Sequence, residues 1–429
     1  MNERGPTKVL VLGASGFVGG RLAHAFEAAG FEVIRGVHDR RGNPGSRSVD
    51  IDYMHDHTPA AWLPRLAGVD IVVNAVGILR ETPAASFEAV HVDAPTALFR
   101  ACAQLGIKKV VQVSALGADI YAKSRYHRSK KRGDDVLTTL KVPWVIVQPS
   151  LVFGESGVSA ALFARMAALP LIPLPGKGNQ HVQPIHVDDL CEAIVRLIRT
   201  NEHDGQRIAA VGPRPLTLRG LLGALRRALG LGEPHFISVP MPLVQAAAAL
   251  GERLRGTLLD SETLGMLLRG NVASAARIMV VLGRPLRPVE AFIAPGERGA
   301  MANDARLAWL LPVLRAAIGI VWIATAVVSL GVYPVADSYA LLARVGLTGV
   351  AASVALYGAA VIDLAFGIGV FVLRDRRWLW RAQMLVIVAY SIIIAIKLTE
   401  YWLHPFGPML KNLPMLAAIL MLHEFEKEK

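Results

Sequence analysis

The run KVLVLGASGFVGGRLAHAF, Lys8–Phe26, restricts this chain more than any other stretch. Lys8–Leu12 is a short Val/Leu run that reads as a buried strand; a glycine-rich turn interrupts it, and Arg21–Phe26 continues at helical spacing. Gly13, Gly16 and Gly19 stand three apart, in the pattern G-x-x-G-x-x-G. The first glycine permits a tight turn, the second lets backbone N–H groups approach a pyrophosphate, and the third lets helix pack closely on strand, with the helix N-terminus facing the phosphate charge. Together with Ser15, Phe17 and Val18, these residues are expected to hold a dinucleotide at the first turn of an α/β domain, a Rossmann-type doubly wound parallel sheet.

This three-spaced turn resembles that of the short-chain dehydrogenase/reductase superfamily. Phe31–Val37 reads as the second strand, whose end should meet the adenine ribose. No acid closes it; His38 follows, then Asp39, Arg40 and Arg41. An acid there would bind a free 2′-hydroxyl and arginines would accommodate a 2′-phosphate, so His38, Arg40 and Arg41 favour NADP(H) over NAD(H), with Asp39 as the opposing feature. Val49–Tyr53 is expected as the third strand, and Asp52-Tyr53 resembles the Asp–hydrophobic pair that contacts adenine in extended and atypical branches of the superfamily. Asp70–Val76 reads as the fourth strand. It ends in Asn74-Ala75-Val76-Gly77, similar to the family's Asn-Ala-Gly-like signature, where the backbone lies along the cofactor.

Ser86–Leu105 carries the spacing of one long helix, and Lys109–Ser114 that of a fifth strand with Ser114 at its carboxyl end. Tyr126 and Lys130 follow, four apart and so on one helix face. A phenol titrates near about 10, and an ammonium one turn away would lower it. The reading is therefore Tyr126 as proton donor and acceptor, Lys130 on the nicotinamide ribose, and Ser114 on the substrate oxygen. Some members of this branch keep these residues without known turnover, so a purely cofactor-binding role stands beside the catalytic one. Val142–Pro149 is expected as the sixth strand; Gln148-Pro149-Ser150, before Val152, resembles the family's Arg-Pro-Ser segment beside the nicotinamide, which assigns Pro149, Ser150 and Val152 to the cofactor. His186-Val187-Asp188-Asp189 resembles a family segment at a helix start; the two acids read as caps, and His181 and His186 as structural groups near the cleft.

Residues 1–155, with returns to about 215, make the nucleotide-binding domain on this reading, and 156–298 a small substrate lobe interleaved with it. The lobe has amphipathic helices at Leu218–Leu229 and Met241–Leu254 and a strand within Pro234–Pro242. A polar hinge, 295–306, precedes a domain of 299–429 with four apolar segments: Leu307–Leu330, Gly346–Leu373, Leu379–Leu398 and Pro408–Leu422. Three are long enough to cross about 30 Å of hydrocarbon and the fourth is marginal, so the expected end of the fold is a C-terminal four-helix transmembrane bundle. Arg374, Arg376, Arg377 and Arg381 place the second connection, the nucleotide domain and the C-terminus on the cytoplasmic side of an inner membrane. Arg315 and Asp363 lie at matching depth and are expected to pair. With Trp402–Pro408, these two residues resemble the DoxX-like four-helix membrane family.

The net charge of +12 comes from arginines scattered over helices or clustered beside apolar runs, without basic–aromatic interleaving, so no nucleic-acid partner is expected. Cys102 and Cys191 have no metal-ligand spacing, so no metal is expected and a reducing compartment is; the polar start, running straight into a strand, leaves no room for a cleaved signal peptide. Asn74–Gly77, Ser114 and Tyr126–Lys130 resemble atypical short-chain dehydrogenases close to the nucleotide-binding accessory subunit of respiratory complex I. The resemblances imply a membrane-anchored NAD(P)H-dependent oxidoreductase acting on a lipophilic carbonyl or quinone-like substrate. The alternative is a non-catalytic NADPH-binding structural or sensor protein of a respiratory membrane complex, or of a homo-oligomer. A third reading makes the membrane module, in contact with lipid or quinone, the functional part.

Overall fold

Val9 and Val11 point to one face of the first strand and Leu10 and Leu12 to the other, and the whole first unit follows from burying both faces. The computed structural model describes residues 6–38, 47–253, 260–403 and 409–426. Along the chain come β1 Lys8–Leu12, α1 Phe17–Ala28, β2 Glu32–Val37, β3 Ser48–Asp50, α2 Pro59–Trp62, β4 Ile71–Asn74, α3 Ala94–Leu105, β5 Lys109–Val113, α4 Arg125–Thr138 and β6 Trp144–Pro149. Then come β7 Val152–Phe153, α5 Val158–Ala168, β8 Ile172–Pro175, β9 His181–Val182, β10 Ile185–His186, α6 Val187–Arg199, β11 Gln206–Ala210, β12 Leu216–Thr217 and α7 Leu218–Ala228. β13 Phe236–Val239, α8 Met241–Arg253, α9 Ser261–Arg269 and α10 Ala276–Leu282 complete this part.

Seven strands pair in parallel in the order β11-β6-β5-β4-β1-β2-β3, a doubly wound sheet. α1, α6 and α10 cover the face with Val9 and Val11; α3 and Leu137 of α4 cover the face with Leu10 and Leu12. Strand order reverses between β1 and β4, so their carboxyl ends flank the crevice where such sheets bind ligands. A second core, built on Phe153, α5, α7, Ile172, Leu174 and Phe292, forms the smaller lobe. Asp189 is fully buried and ties α6 to the segment after α10, accepting from Arg284 at 2.7 Å and from the Arg287 backbone N–H at 2.8 Å.

Several expected boundaries move. β3 stops at Asp50, because Asp52 accepts from the Met54 N–H at 2.8 Å and turns the chain; Asp52 and Tyr53 sit in that turn rather than on a strand. The helix expected over 86–105 opens with a π-helical turn, Ala89–Asp93, before α3. The α6 cap is His186, whose Nδ1 accepts from the Asp188 N–H at 3.3 Å; Asp188 and Asp189 lie in the first turn instead and complement its dipole. Residues 298–305, within the connection expected over 295–306, are the first turns of a helix, with Ala302 and Ala305 buried in the lobe core, and the boundary between the two units follows Ala305.

Residues 306–429 form the second unit. Its helices are α11 Arg298–Val327, which begins in the first unit, α12 Val335–Val345, α13 Gly349–Val372, α14 Arg377–Lys397, α15 Glu400–Leu403 and α16 Asn412–Phe425. Among the described residues three helical stretches are long and apolar enough to cross a membrane, Arg298–Val332, Gly349–Val372 and Arg377–Lys397; α16, at 14 residues, is shorter. α11 and α13 meet closely at Gly367, where a Cβ would stand 2.5 Å from Ile323 Cγ1. The expected Arg315–Asp363 pair is not formed. Arg315 donates to Glu426 at 3.3 Å, where Arg376 (3.1 Å) and the Trp380 indole (3.3 Å) also converge, while Asp363 Oδ1 is buried with no hydrogen-bond partner among the described residues. A guanidinium on a long stem reaches the end of the helices, where a carboxylate already gathers two donors.

Candidate functional site

Gly13 adopts φ +78°, and a Cβ there would press on Ala75 C and O at 3.2 Å, so the glycine turn after β1 lies directly against the chain leaving β4. At Gly19 a Cβ would stand 2.1 Å from Gly13 O, which no side chain tolerates. The third glycine therefore does pack helix on turn, as its spacing predicts. α1 starts after Gly16 with no side-chain cap and no acid in its first turn, and Ser15 and Gly16 are exposed, while Phe17 and Val18 are half-buried. Backbone N–H groups with their dipole and no competing carboxylate fit a dinucleotide pyrophosphate. His38 follows β2 and is exposed, its Nδ1 3.2 Å from Ile51 O. Arg40 and Arg41 lie outside the described residues, as do Asp39 and 404–408.

The end of β4 divides its four signature residues. Asn74 is fully buried: it accepts from the Tyr53 hydroxyl at 2.8 Å and from the Val76 N–H at 3.2 Å, and donates to Gln112 at 2.8 Å. This network spends the side chains of Asn74 and Tyr53 on holding β4 and β5 in register, and Tyr53 packs edge-on against Trp62. Asp52 stays partly exposed; burial lifts its carboxyl, but the bonds to His55 and the Met54 N–H outweigh that and hold it below the usual carboxylate range. Ala75, Val76 and Gly77 then line the crevice, with Val76 O accepting from Lys130 Nζ at 3.2 Å. A Cβ on Gly77 would lie 2.9 Å from that Nζ.

Ser124 caps α4, accepting from the His127 N–H at 3.1 Å, which sets Tyr126 in the first turn and Lys130 one turn on. The Tyr126 N–H, which has no partner within its helix, donates to Glu262 at 3.0 Å. Lys130 is buried, its ammonium bridging Val76 O and Val113 O at 3.2 Å each, at the carboxyl ends of β4 and β5. Burial pulls it down to about 8, and the Asp134 carboxylate opposes that fall. Ser114 is buried and donates its hydroxyl to Asp134 at 2.5 Å. Asp134 in turn is pushed up to about 6 by burial, against the Ser114 bond and the Lys130 and Arg207 charges. The Tyr126 phenol moves upward, through burial and then the Asp134 charge. The expectation that Lys130 lowers it is thus corrected: burial dominates, and the nearest counter-charge to Lys130 is Asp134.

Pro149 is buried at the end of β6; Ser150 donates to Gln183 O at 2.5 Å, and Val152 pairs with Ile185 of β10. These side chains hold the lobe to the sheet. His181 is exposed on β9, and His186 is the α6 cap, taking a bond from Arg287 at 3.1 Å. Residues that sequence reasoning passed over are His91, Asp134 and Glu262. His91 Nε2 accepts from the Ile78 N–H at 3.1 Å, so its proton sits on Nδ1 and goes to Ser129 Oγ at 2.8 Å, while its ring stands edge-on to Tyr126 at 5.6 Å. Burial, then the Lys130 charge, drives it down to about 2, so it stays neutral. Asp134 did leave a signal, standing four residues beyond Lys130 on the same helix face.

An uncapped helix N-terminus at the switch point, with a tyrosine and a lysine on α4 beside it, defines a dinucleotide-binding unit of the dehydrogenase and epimerase type. Residues 9–212 match the NAD dependent epimerase/dehydratase family and residues 319–420 the DoxX-like family, so the chain joins an NAD-binding domain of that type to a DoxX-like membrane domain. Among curated proteins, the mouse mitochondrial NADH dehydrogenase (ubiquinone) 1 alpha subcomplex subunit 9 is 29% identical over 175 residues, 41% of this chain and 46% of its own length. The Arabidopsis thaliana protein of that name is 26% identical over 250 residues, 56% of this chain and 62% of its own. The chain thus spans about half the length of the curated relatives it matches. A nucleoside-diphosphate-sugar epimerase from Staphylococcus aureus superposes with TM-score 0.55 at 15% identity, covering 67% of this chain and 99% of that one. UDP-glucuronic acid 4-epimerase from Bacillus cereus, solved with UDP-glucuronic acid and NAD, gives 0.50 at 16%, covering 71% and 100%. At such identity these two establish the fold.

Proposed function

We propose that this chain is a membrane-anchored NAD(P)H-dependent oxidoreductase that reduces a carbonyl or quinone-like group on a lipophilic substrate, with its nucleotide domain on the cytoplasmic side. The observation that carries the reading is Lys130, held by Val76 O and Val113 O at the crevice one turn from Tyr126, in a chain whose second unit is DoxX-like. Gly13, Ser15, Gly16, Phe17, Val18 and Gly19 hold the pyrophosphate, Ala75–Gly77 lie along the nucleotide, and Lys130 has a donor left for a ribose hydroxyl. A bound nicotinamide supplies the hydride. Tyr126 protonates the substrate oxygen, and Ser114, whose own proton is committed to Asp134, can accept from the hydroxyl of the alcohol product. Arg40 and Arg41 favour the 2′-phosphate of NADPH.

NADPH oxidation by the full chain in detergent, with long-chain ketones and quinones, tests this. Tyr126→Phe should abolish turnover and leave NADPH affinity within about twofold, because only the ionisable oxygen is lost. Loss of binding in that variant would make the tyrosine structural. A second reading, a non-catalytic NADPH-binding subunit of a respiratory assembly, draws on the Ser114–Asp134 bond, which occupies a supposed substrate donor, and on the similarity to the complex I subunits. Absence of NADPH oxidation across the substrate series, with tight NADPH binding, selects it.

A further inference from the structure

The smaller lobe carries an apolar surface that no described residue of the first unit covers. β13 pairs in parallel with β8, Ile237 opposite Pro173; Ile172 and Leu174 turn into the lobe core, while Leu171, Pro173 and Ile237 face outward. α8 continues this surface. Val244 and Ala248 pack inward with Leu264 of α9, whereas Leu243 and Leu250 are 61% and 57% exposed. From Phe236 to Gly251, and from Leu169 to Gly176, there is no charged side chain. An outward helix face in a water-facing domain normally carries charge, and over Met241–Gly251 this one has only Gln245 as a polar side chain.

We infer that β13 and α8 lie in the interface of a lipid bilayer, making the first unit a monotopic membrane-surface domain in its own right. At about 1.5 Å per residue, α8 is about 20 Å long, too short to span about 30 Å of hydrocarbon but suited to lie along it. A cation stands at the end of the apolar face: exposed Lys177 follows Gly176, where a Cβ would meet the Met241 side chain at 3.9 Å, whereas Arg219 lies over the Phe236 ring on the core side. That is the order in which a bilayer presents acyl chains and then anionic headgroups. A lipid surface is the occupant because the same chain carries helices long and apolar enough to cross one, so a bilayer is always within reach. α9, packed on α8, also reaches the candidate site: Glu262 holds the Tyr126 N–H, and Arg269 binds Asp119 at 2.6 Å and Gly117 O at 2.9 Å.

The inference rests on membrane attachment but not on catalysis. Its test labels full-length Leu243→Cys and Leu250→Cys with a bimane fluorophore in phosphatidylcholine–phosphatidylglycerol vesicles, with Leu105→Cys, an exposed position on α3, as the reference. Cys102 and Cys191 are buried, with thiols pushed up to about 12, and stay unlabelled. Brominated phosphatidylcholine should quench positions 243 and 250 at least about twofold more than 105, and adding Leu250→Glu should return the signal at 243 towards the reference. Quenching equal to that at 105 overturns the inference. Protection from both brominated lipid and aqueous iodide overturns it too, marking a protein partner or a second copy. Flotation with the vesicles reads attachment separately: a chain that fails to float refutes the anchor, and one that floats without quenching refutes only the surface contact.

Discussion

Replacing Asp134 with asparagine isolates the buried charge pair beneath the candidate site. In the folded chain burial lifts the Asp134 carboxyl from 3.8 to about 6. At about 1.36 kcal/mol per unit, keeping it ionised at neutral pH costs the fold about 3 kcal/mol relative to the unfolded chain. Because the folded value is the higher one, this destabilisation is absent below about pH 4, grows as pH rises towards about 6 and is then constant. An asparagine at this position keeps an oxygen to accept the Ser114 proton and has no proton to lose. Asp134→Asn should therefore match the parent near about pH 4 and exceed it above about pH 6 by up to about 3 kcal/mol. The gain comes with a functional consequence, since the carboxylate is what opposes the fall of Lys130 to about 8. Without it Lys130 should lose its charge at lower pH, so that NADPH affinity falls away at correspondingly lower pH. Thermal unfolding at a fixed scan rate from about pH 4 to 9, with NADPH titrations over the same range, measures both. A variant less stable than the parent at neutral pH, with the parent's pH profile, would refute the argument, because it would mean that the ionised pair is a net stabiliser.

Gly19→Ala should cost about 1–3 kcal/mol and abolish NADPH binding, since its Cβ would lie 2.1 Å from Gly13 O; binding at parental affinity, read by titration, counts against the glycine-turn site. Asp189→Ala leaves Arg284 and Arg287 without their fully buried acceptor and should lower stability by about 3 kcal/mol with NADPH affinity unchanged, checked by melting and titration on the same sample. Glu426→Gln should destabilise the second unit by about 2 kcal/mol in detergent, discounted because Arg315 is 31% exposed, and Arg315→Leu should recover part of it in a double-mutant cycle.

What was legible in the sequence is what leaves a trace over a few residues. The three glycines are dictated by contacts within one strand–turn–helix unit, and Tyr126 and Lys130 share a face through helix geometry alone. The polar wiring between elements was not legible. Ser114 gives its proton to a residue 20 positions on, and the Tyr126 N–H finds Glu262 136 positions on. The π-helical turn at Ala89–Asp93 shifts the register just where His91 points at Ile78 and Ser129, so the apolar spacing of that helix gives no warning of it. The strand expected through Tyr53 stops at Asp50 because a strand of three residues gives way to a side-chain-capped turn. In the second unit Arg315 and Asp363 matched in depth, but reach along the helix decided the partner, and Glu426 already collected Arg376 and Trp380.

The protonation states around Tyr126 bear on the direction of the proposed reaction. Alcohol oxidation needs a phenolate at the moment of reaction, and carbonyl reduction needs a phenol. Burial and the Asp134 charge both move the Tyr126 phenol upward, and Ser114 has no proton to offer while it donates to Asp134. At neutral pH the substrate oxygen therefore has the protonated Tyr126 phenol as its donor, which suits reduction. The same arrangement ties the rate to Asp134. Once Asp134 is protonated near about pH 6 it can donate to Ser114, freeing the Ser114 proton for the substrate oxygen while also removing the charge that holds the phenol up. Reduction should then run fastest below about pH 6, and Asp134→Asn, which has no proton to gain or lose over this range, should flatten that limb. A reductase rate that climbs with pH from about 6 to 9 in both proteins would place the working proton elsewhere.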